Sequence, residues 1–589
     1  MIDINNINKN IFNKYNIFMV AFVFHMLFIF QGMDVTDAGF QLTNQVLAFS
    51  LPIQFFSINS FFILTDIVGG FWLSLFGEPN LIWARLGGVL IIALNAAIIF
   101  SILSDHFERK RVFLVVLVST LFLTMRPGLY IIDYFTFPAL LINIEFWILN
   151  KILLEGGEND FYNFTLGFMV VPIVLSRIPL ILIVLIPITI FFYNLIIGVD
   201  IRKYKSSTVT SSLGLFCAIL FFGIIFYITG ILDIYFAHIC SVIAASAAGN
   251  TEDIDQAYTL FSLIRSYLTD YRDVAIGTVI LCILFYALSL IKSKLGPIYA
   301  TIVALSLTFG VILFMVYRTI YIEALAYDLL KVTIGIIILV SLTYVVTNDN
   351  DKKNKKLKIF LFLGTIVMII NPMGSSDGII KSFHGMWLIL PLTILCGFQL
   401  KASTKNKTIS SIFSLMNLVL LSLLILTLFF HSTDVFRDNI NRFELNTEFS
   451  SPGLRGVYST ADRVDVVDSL INEIENLSKK NDSILMGVSI PMFYYLTETR
   501  PALGNPWVGL ISKNDINSRL KDMEEAGNYP LLFIEQRINT EDRNWPKENT
   551  PMIDKFKKKQ DYLKNRFVNT HNYTIVWENY AFAIYKRDT

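Results

Sequence analysis

Long apolar runs separated by short polar turns fill the chain from residue 16 to residue 430, and a polar, charged stretch follows to the end. Thirteen runs read as helical spans: about 16–32, 82–104, 112–128, 134–152, 161–175, 178–198, 211–231, 274–292, 297–316, 328–346, 358–371, 384–400 and 408–430. A run of about 17–25 apolar residues crosses a hydrocarbon layer about 30 Å thick as a helix. Between the first two runs, residues 33–81 are rich in Phe, Leu and Ile yet broken by Pro52, Asn59, Asp66 and Gly69-Gly70. That pattern suits short helices lying in the interface rather than another crossing. Beyond residue 430 the period changes. Residues 462–480 repeat with helical spacing, Ser483–Val488 and Pro530–Glu535 read as strands, and Tyr573–Trp577 with Tyr580–Tyr585 reads as a hairpin. The pattern predicts a polytopic α-helical membrane protein of about 13 transmembrane helices over 1–430, with a small C-terminal α/β domain over 431–589.

Composition agrees with that reading. Of 589 residues, 54% are hydrophobic and 16% charged, with a mean hydropathy of +0.58, more apolar surface than a soluble domain can bury. A net charge of +1 gives no footprint for nucleic acid. The four cysteines are widely spaced without a CxxC pair, against a zinc site or a disulfide framework. The first apolar run lacks a small-residue cleavage site and is expected to remain as a span. Basic clusters Arg109-Lys110-Arg111, Arg202-Lys203, Lys352-Lys353 and Lys401 follow the even-numbered spans, while residues 33–81 hold no Lys or Arg. The positive-inside rule then puts the N-terminus in the cytoplasm and residues 431–589 outside a bacterial cytoplasmic membrane.

Against that background three constellations stand out. Asp34 and Asp37 follow the first span, three residues apart, and would share one face of a helix starting there. A partly dry carboxylate at that place can accept a proton from a hydroxyl; capping of the same helix explains the pair equally well. Arg126, Arg177, Arg318 and Lys381 sit where spans meet the outer surface, the side on which cations are disfavoured, and as a set they point to an anionic ligand such as a phosphate. The loop Asn371–His384 adds Asp377 and His384 to Lys381 as polar handles for a substrate or as a hydrated turn, and Asp133-Tyr134 lies opposite Arg126 in a short hairpin, as a substrate contact or an ion pair.

These pieces, in this order, resemble the GT-C superfamily of polyprenyl-phosphate-dependent glycosyltransferases, with a layout like the aminoarabinose lipid A transferases. The segments Asp34-Val-Thr-Asp37-Ala-Gly39-Phe40, Ser176-Arg177-Ile-Pro179 and Gly374-Ser-Ser-Asp377 resemble a poorly characterised bacterial branch of it. The resemblance implies a seven-span module over 16–231, variable spans over 274–430, and inverting transfer of a sugar from a polyprenyl-phosphate donor to a lipid, glycan or protein acceptor at the outer membrane face. It further implies a first-loop Asp as general base, Arg126, Arg177, Arg318 and Lys381 on the donor phosphate, and membrane lipids as neighbours. Many members carry Asp-Glu at the first-loop acid, and neither Asp here is followed by Glu. The choice between Asp34 and Asp37 stays open, with Asp37 aligned to the acid before the Gly-aromatic pair. No cofactor is expected with certainty; a divalent cation bound through Asp34 is left open. A carrier or flippase of lipid-linked sugars and a non-catalytic membrane scaffold are the competing readings.

Overall fold

Asparagines start several of the apolar helices. Asn13, Asn80 and Asn159 each accept hydrogen bonds from amides two and three residues on, closing the orphan donors of a helix start. The computed structural model describes residues 11–588 except 57–60, 125–129, 156–158, 189–200, 238, 241–264, 266, 281–282, 284–321, 348–351, 374–377, 404–409, 411–413, 415–434, 439–440, 512, 544, 547–549 and 569. The expected spans 297–316 and most of 408–430 lie outside these residues, as do parts of 178–198 and 274–292.

The first helix, α1 (Lys14–Met26), leads into a loop carrying α2 (Asp37–Ser50), α3 (Pro52–Phe56) and α4 (Ile63–Ser74). At 14, 5 and 12 residues these three are too short to cross a hydrocarbon layer, as the broken apolar pattern predicts. Next come α5 (Leu81–Ser104), α6 (Arg109–Leu123), α7 (Thr136–Glu155), α8 (Asp160–Ser176) and α9 (Ile201–Ile228). Then follow α10 (Ile322–Thr347), α11 (Lys352–Ile370) and α12 (Met386–Ser403). Four stretches among the described residues are both long and apolar enough to cross a membrane, at 81–104, 136–155, 206–228 and 378–402, and they mark an integral membrane protein. The span expected to begin at 178 starts instead as a 3₁₀ segment, Ile178–Val184, where Pro179 has no amide hydrogen to give. Gly69 and Gly70 of α4 lie directly on Gln45 of α2, and a Cβ at either would collide with it.

Past residue 446, β1 (Thr447–Glu448) pairs with β2 (Tyr458–Ser459), and α13 (Ala461–Leu477) follows. A five-stranded sheet then forms from β3 (Ser483–Met486), β4 (Arg500–Pro501), β5 (Leu532–Gln536), β6 (Tyr573–Glu578) and β7 (Phe582–Arg587). Its order is β4-β3-β5-β7-β6, with β3 parallel to β4 and β5, and the β6–β7 hairpin closing one edge. The strands and helix read from the period of the tail are present within a few residues; the two-residue β4 has no signal of that kind.

This C-terminal layer keeps one apolar cluster to itself, on the Leu485, Phe533 and Phe567 side, and shares a second with the first loop. Met33, Val35, Ala38 and Leu42 from the first loop pack in one apolar cluster with Phe449, Leu454, Ile490 and Met492. Main-chain bonds reinforce the contact: Gly32 donates to Tyr458 (2.8 Å), Tyr458 to Phe30 (2.7 Å) and Met492 to Val35 (3.0 Å). At the seam Asp438, fully buried, pairs with Arg463 at 2.9 Å and accepts the Met33 amide at 2.8 Å. Arg463 also donates to the carbonyls of Trp545 and Arg437 and lies 4.4 Å from the Trp545 ring centroid. Arg463→Met should therefore destabilise the protein by about 3–5 kcal/mol, since it strands a buried carboxylate. Thermal unfolding in detergent measures this, with Arg463→Met/Asp438→Asn expected to recover part of the loss.

Candidate functional site

The chain makes a sharp change of direction between α1 and α2, and this turn is held from below and above. Arg85 of α5, 4% exposed, donates to the carbonyls of Ile29 and Gly32, both at 2.6 Å. From the C-terminal layer, Arg442 donates to the Gln31 side chain. Asp34 then caps α2, its two carboxylate oxygens accepting the amides of Thr36 (3.1 Å) and Ala38 (2.7 Å). Burial pushes the Asp34 carboxyl up to about 6, against the pull of Arg437 and with a push from Asp37.

Asp37, one turn on, is the open member of the pair: its side chain is 28% exposed where that of Asp34 is 3% exposed. The guanidinium of Arg437 bridges them, 3.3 Å from Asp37 Oδ2 and 3.7 Å from Asp34 Oδ1. Glu541, whose Oε1 accepts from the Ser489 hydroxyl at 3.3 Å, feels both Arg437 and Asp37, and burial raises its carboxyl. Ser489 and Glu541 follow the carboxyl ends of the parallel strands β3 and β5, the edge at which α/β sheets present ligands. Thr36 fixes this edge to the helix by donating to the Ser489 carbonyl at 3.1 Å.

The second cluster centres on Phe135. The Arg177 guanidinium lies 5.0 Å from its ring centroid and the Lys381 ammonium 4.2 Å, while His384 stacks on it at 4.0 Å. Arg177 also donates to Asn371 Oδ1 at 2.9 Å, and burial pulls its guanidinium down to about 10. Each cation gains from the ring quadrupole, and both carry positive charge to the surroundings of Phe135. Asp133 caps α7, accepting the amides of Phe135 (2.7 Å) and Thr136 (2.6 Å), and burial raises its carboxyl. It lines a small pocket with Tyr130, Thr136, His384 and Trp387. Tyr134 stacks on Phe62 at 4.1 Å.

Helix α2 joins the two clusters. Asp37 stands at its start, and Gln45, eight residues on, donates to the Ile132 carbonyl beside Asp133. At 1.5 Å per residue the two points are about 12 Å apart. Of the residues singled out in the sequence, Asp34 and Asp37 fall in the first cluster and Asp133, Tyr134, Arg177, Lys381 and His384 around the second. Arg126, Arg318 and Asp377 lie outside the described residues. Sequence reasoning passed over Arg437 and Glu541. Glu541 had a usable signal, an acid a few residues beyond a recognisable strand; Arg437 sits in a charged stretch where nothing sets it apart. Among the described residues no three His, Cys, Asp or Glu side chains are grouped to hold a metal ion.

No family model matches the sequence, and no curated protein matches it. Solved structures do. The chain is similar to the crystal structure of ArnT from Cupriavidus metallidurans in the apo state, over 97% of this chain and 96% of that one, with a TM-score of 0.39 and 9% identity. It is likewise similar to ArnT from the same organism bound to undecaprenyl phosphate, over 97% of each chain, with a TM-score of 0.37 and 9% identity. At that distance no residue's role passes from those proteins to this chain.

Proposed function

We propose that the protein is a membrane glycosyltransferase that moves a sugar from a polyprenyl-phosphate donor to an acceptor hydroxyl at the outer face of the cytoplasmic membrane. The observation that carries this reading is an open carboxylate at the start of α2 together with a two-cation aromatic platform next to the turn on which Gln45 of the same helix rests. The acceptor oxygen attacks the anomeric carbon as its proton passes to Asp37. The bond from that carbon to the phosphate oxygen breaks, and the phosphate leaves with the electron pair. Arg177 and Lys381 stabilise the charge that develops there, and Arg126 and Arg318 are assigned to the same phosphate. Attack opposite the leaving group inverts the anomeric centre. Arg437 orients Asp37, and Asp34 holds the helix start rather than the substrate, because its oxygens are committed to amides. Asp133, Tyr134, Asp377 and His384 are assigned to substrate contacts, and the acceptor remains a lipid, glycan or protein hydroxyl.

One observation favours a second reading. Glu145, in the middle of α7, is fully buried with neither carboxyl oxygen hydrogen-bonded, the kind of intramembrane acid a proton-coupled carrier of lipid-linked sugars would use. The base separates the two readings. Asp37→Asn should lower transfer by about 10²–10⁴ with the melting temperature unchanged, as read by mass spectrometry of cell-envelope glycans from a complemented deletion strain. Wild-type product from that variant overturns the transferase reading, whereas a carrier would lose flux with Glu145→Gln instead.

Asp34 makes a prediction of its own. Its carboxyl is raised on folding, so folding is disfavoured once the group must ionise. No penalty applies below about pH 4, and the penalty is complete above about pH 6. Asp34→Asn should therefore gain stability on wild type as pH rises from 4 to 6, by roughly 2–3 kcal/mol, in parallel melting curves.

A further inference from the structure

The face of α2 between the two clusters is polar where burial calls for apolar groups. Asp37, Gln41 and Asn44 follow an i, i+4, i+7 spacing and so form one stripe along the helix. Gln41 is 3% exposed and Asn44 2%, yet Gln41 Oε1 and Asn44 Oδ1 have no hydrogen-bond partner among the described residues. The helix is fixed on both sides of the stripe. On one, Phe40 meets the Trp507 ring at 5.7 Å and Thr43 donates to the Pro491 carbonyl at 3.0 Å. On the other, the Gln45 amide reaches the Ile132 carbonyl over Gly69. The stripe thus lies between the contacts α2 makes with the C-terminal layer and those it makes with the Tyr130–Thr136 turn. Trp507, at its edge, carries a further buried orphan, its indole N–H.

Buried amides without partners cost stability, and Leu or Met would serve packing better at both positions. A ligand that supplies the missing bonds offsets that cost. An amide both donates and accepts, as a hydroxyl does, and past Asp37 the stripe holds no charge. The fitting ligand is therefore neutral and rich in hydroxyls. We propose that Gln41 and Asn44 bind the hydroxyl groups of the sugar being transferred, and that they select which sugar the enzyme accepts. This rests on the transferase reading and deepens it: phosphate at the Arg177–Lys381 end, the anomeric carbon bonded to it on the side facing Asp37, and the sugar ring beside the amides.

The test uses Gln41→Met, Asn44→Leu and their double variant, which keep side-chain size and remove the hydrogen-bonding groups. The probe is a lipid extract of the host's own membranes, added to purified full-length protein in detergent. Each single variant should lose about tenfold in transfer at limiting extract, the share of one hydrogen bond to the substrate, with melting temperature unchanged or raised. The extract should raise the melting temperature of wild type and of Asp37→Asn, but not of the double variant. Full transfer by the single variants, or equal stabilisation of the double variant, overturns the sugar site while Asp37-dependent transfer still stands. A fall in melting temperature without extract in both single variants also overturns it, because the amides would then be holding the fold. Transfer that survives Asp37→Asn removes the reading beneath it.

Discussion

A guanidinium and a carboxylate meet almost without water where the C-terminal layer rests on the first loop: Arg463 is 1% exposed and Asp438 fully buried, 2.9 Å apart. Neither charge could stay there unpaired, so the pair holds α13 against the segment that leads into it, and Asp438 ties that segment to the first loop. It also fixes its neighbours. Asp438 holds the Met33 amide just before the two aspartates, and Arg463 holds the Arg437 carbonyl. Arg437 has a positive φ of 52°, a backbone turn that sends its side chain away from the path of Asp438 and onto Asp34 and Asp37. One buried pair thus sets both halves of the acid–arginine cluster.

Helix α2 carries that order onward. Its start is pinned by the Asp34 cap and by Thr36, its middle by the glycines of α4, and its far half by Gln45 on the Tyr130–Thr136 turn. A helix is stiff along its axis, so the separation between Asp37 and the point where Gln45 meets the Tyr130–Thr136 turn follows from a residue count. Chemistry that needs a base and a leaving-group clamp at a set spacing is better served by such an element than by two loops.

The first-loop aspartates show how alike the two residues look in sequence and how differently they are used. Both were candidates for chemistry and for capping. Asp34 gives its oxygens to two amides, and Asp37 keeps its own accessible. The cations divide in the same way. Arg85 is taken up by main-chain carbonyls under the turn, while Arg177 and Lys381 share an aromatic ring.

Hydrophobic period alone determined the long apolar helices among the described residues, the short helices between α1 and α5, and the strands of the tail, because burial imposes its spacing on each segment locally. The same pattern narrowed the candidate acids to one short loop. Contacts between segments some four hundred residues apart, such as Arg437 on Asp37 and Met492 on Val35, left no trace in local spacing. They depend on which surfaces meet when separate elements pack, and that is a property of the folded chain. The roles within the aspartate pair, the entry of Glu541 and the orphaned amides of Gln41 and Asn44 were decided only there.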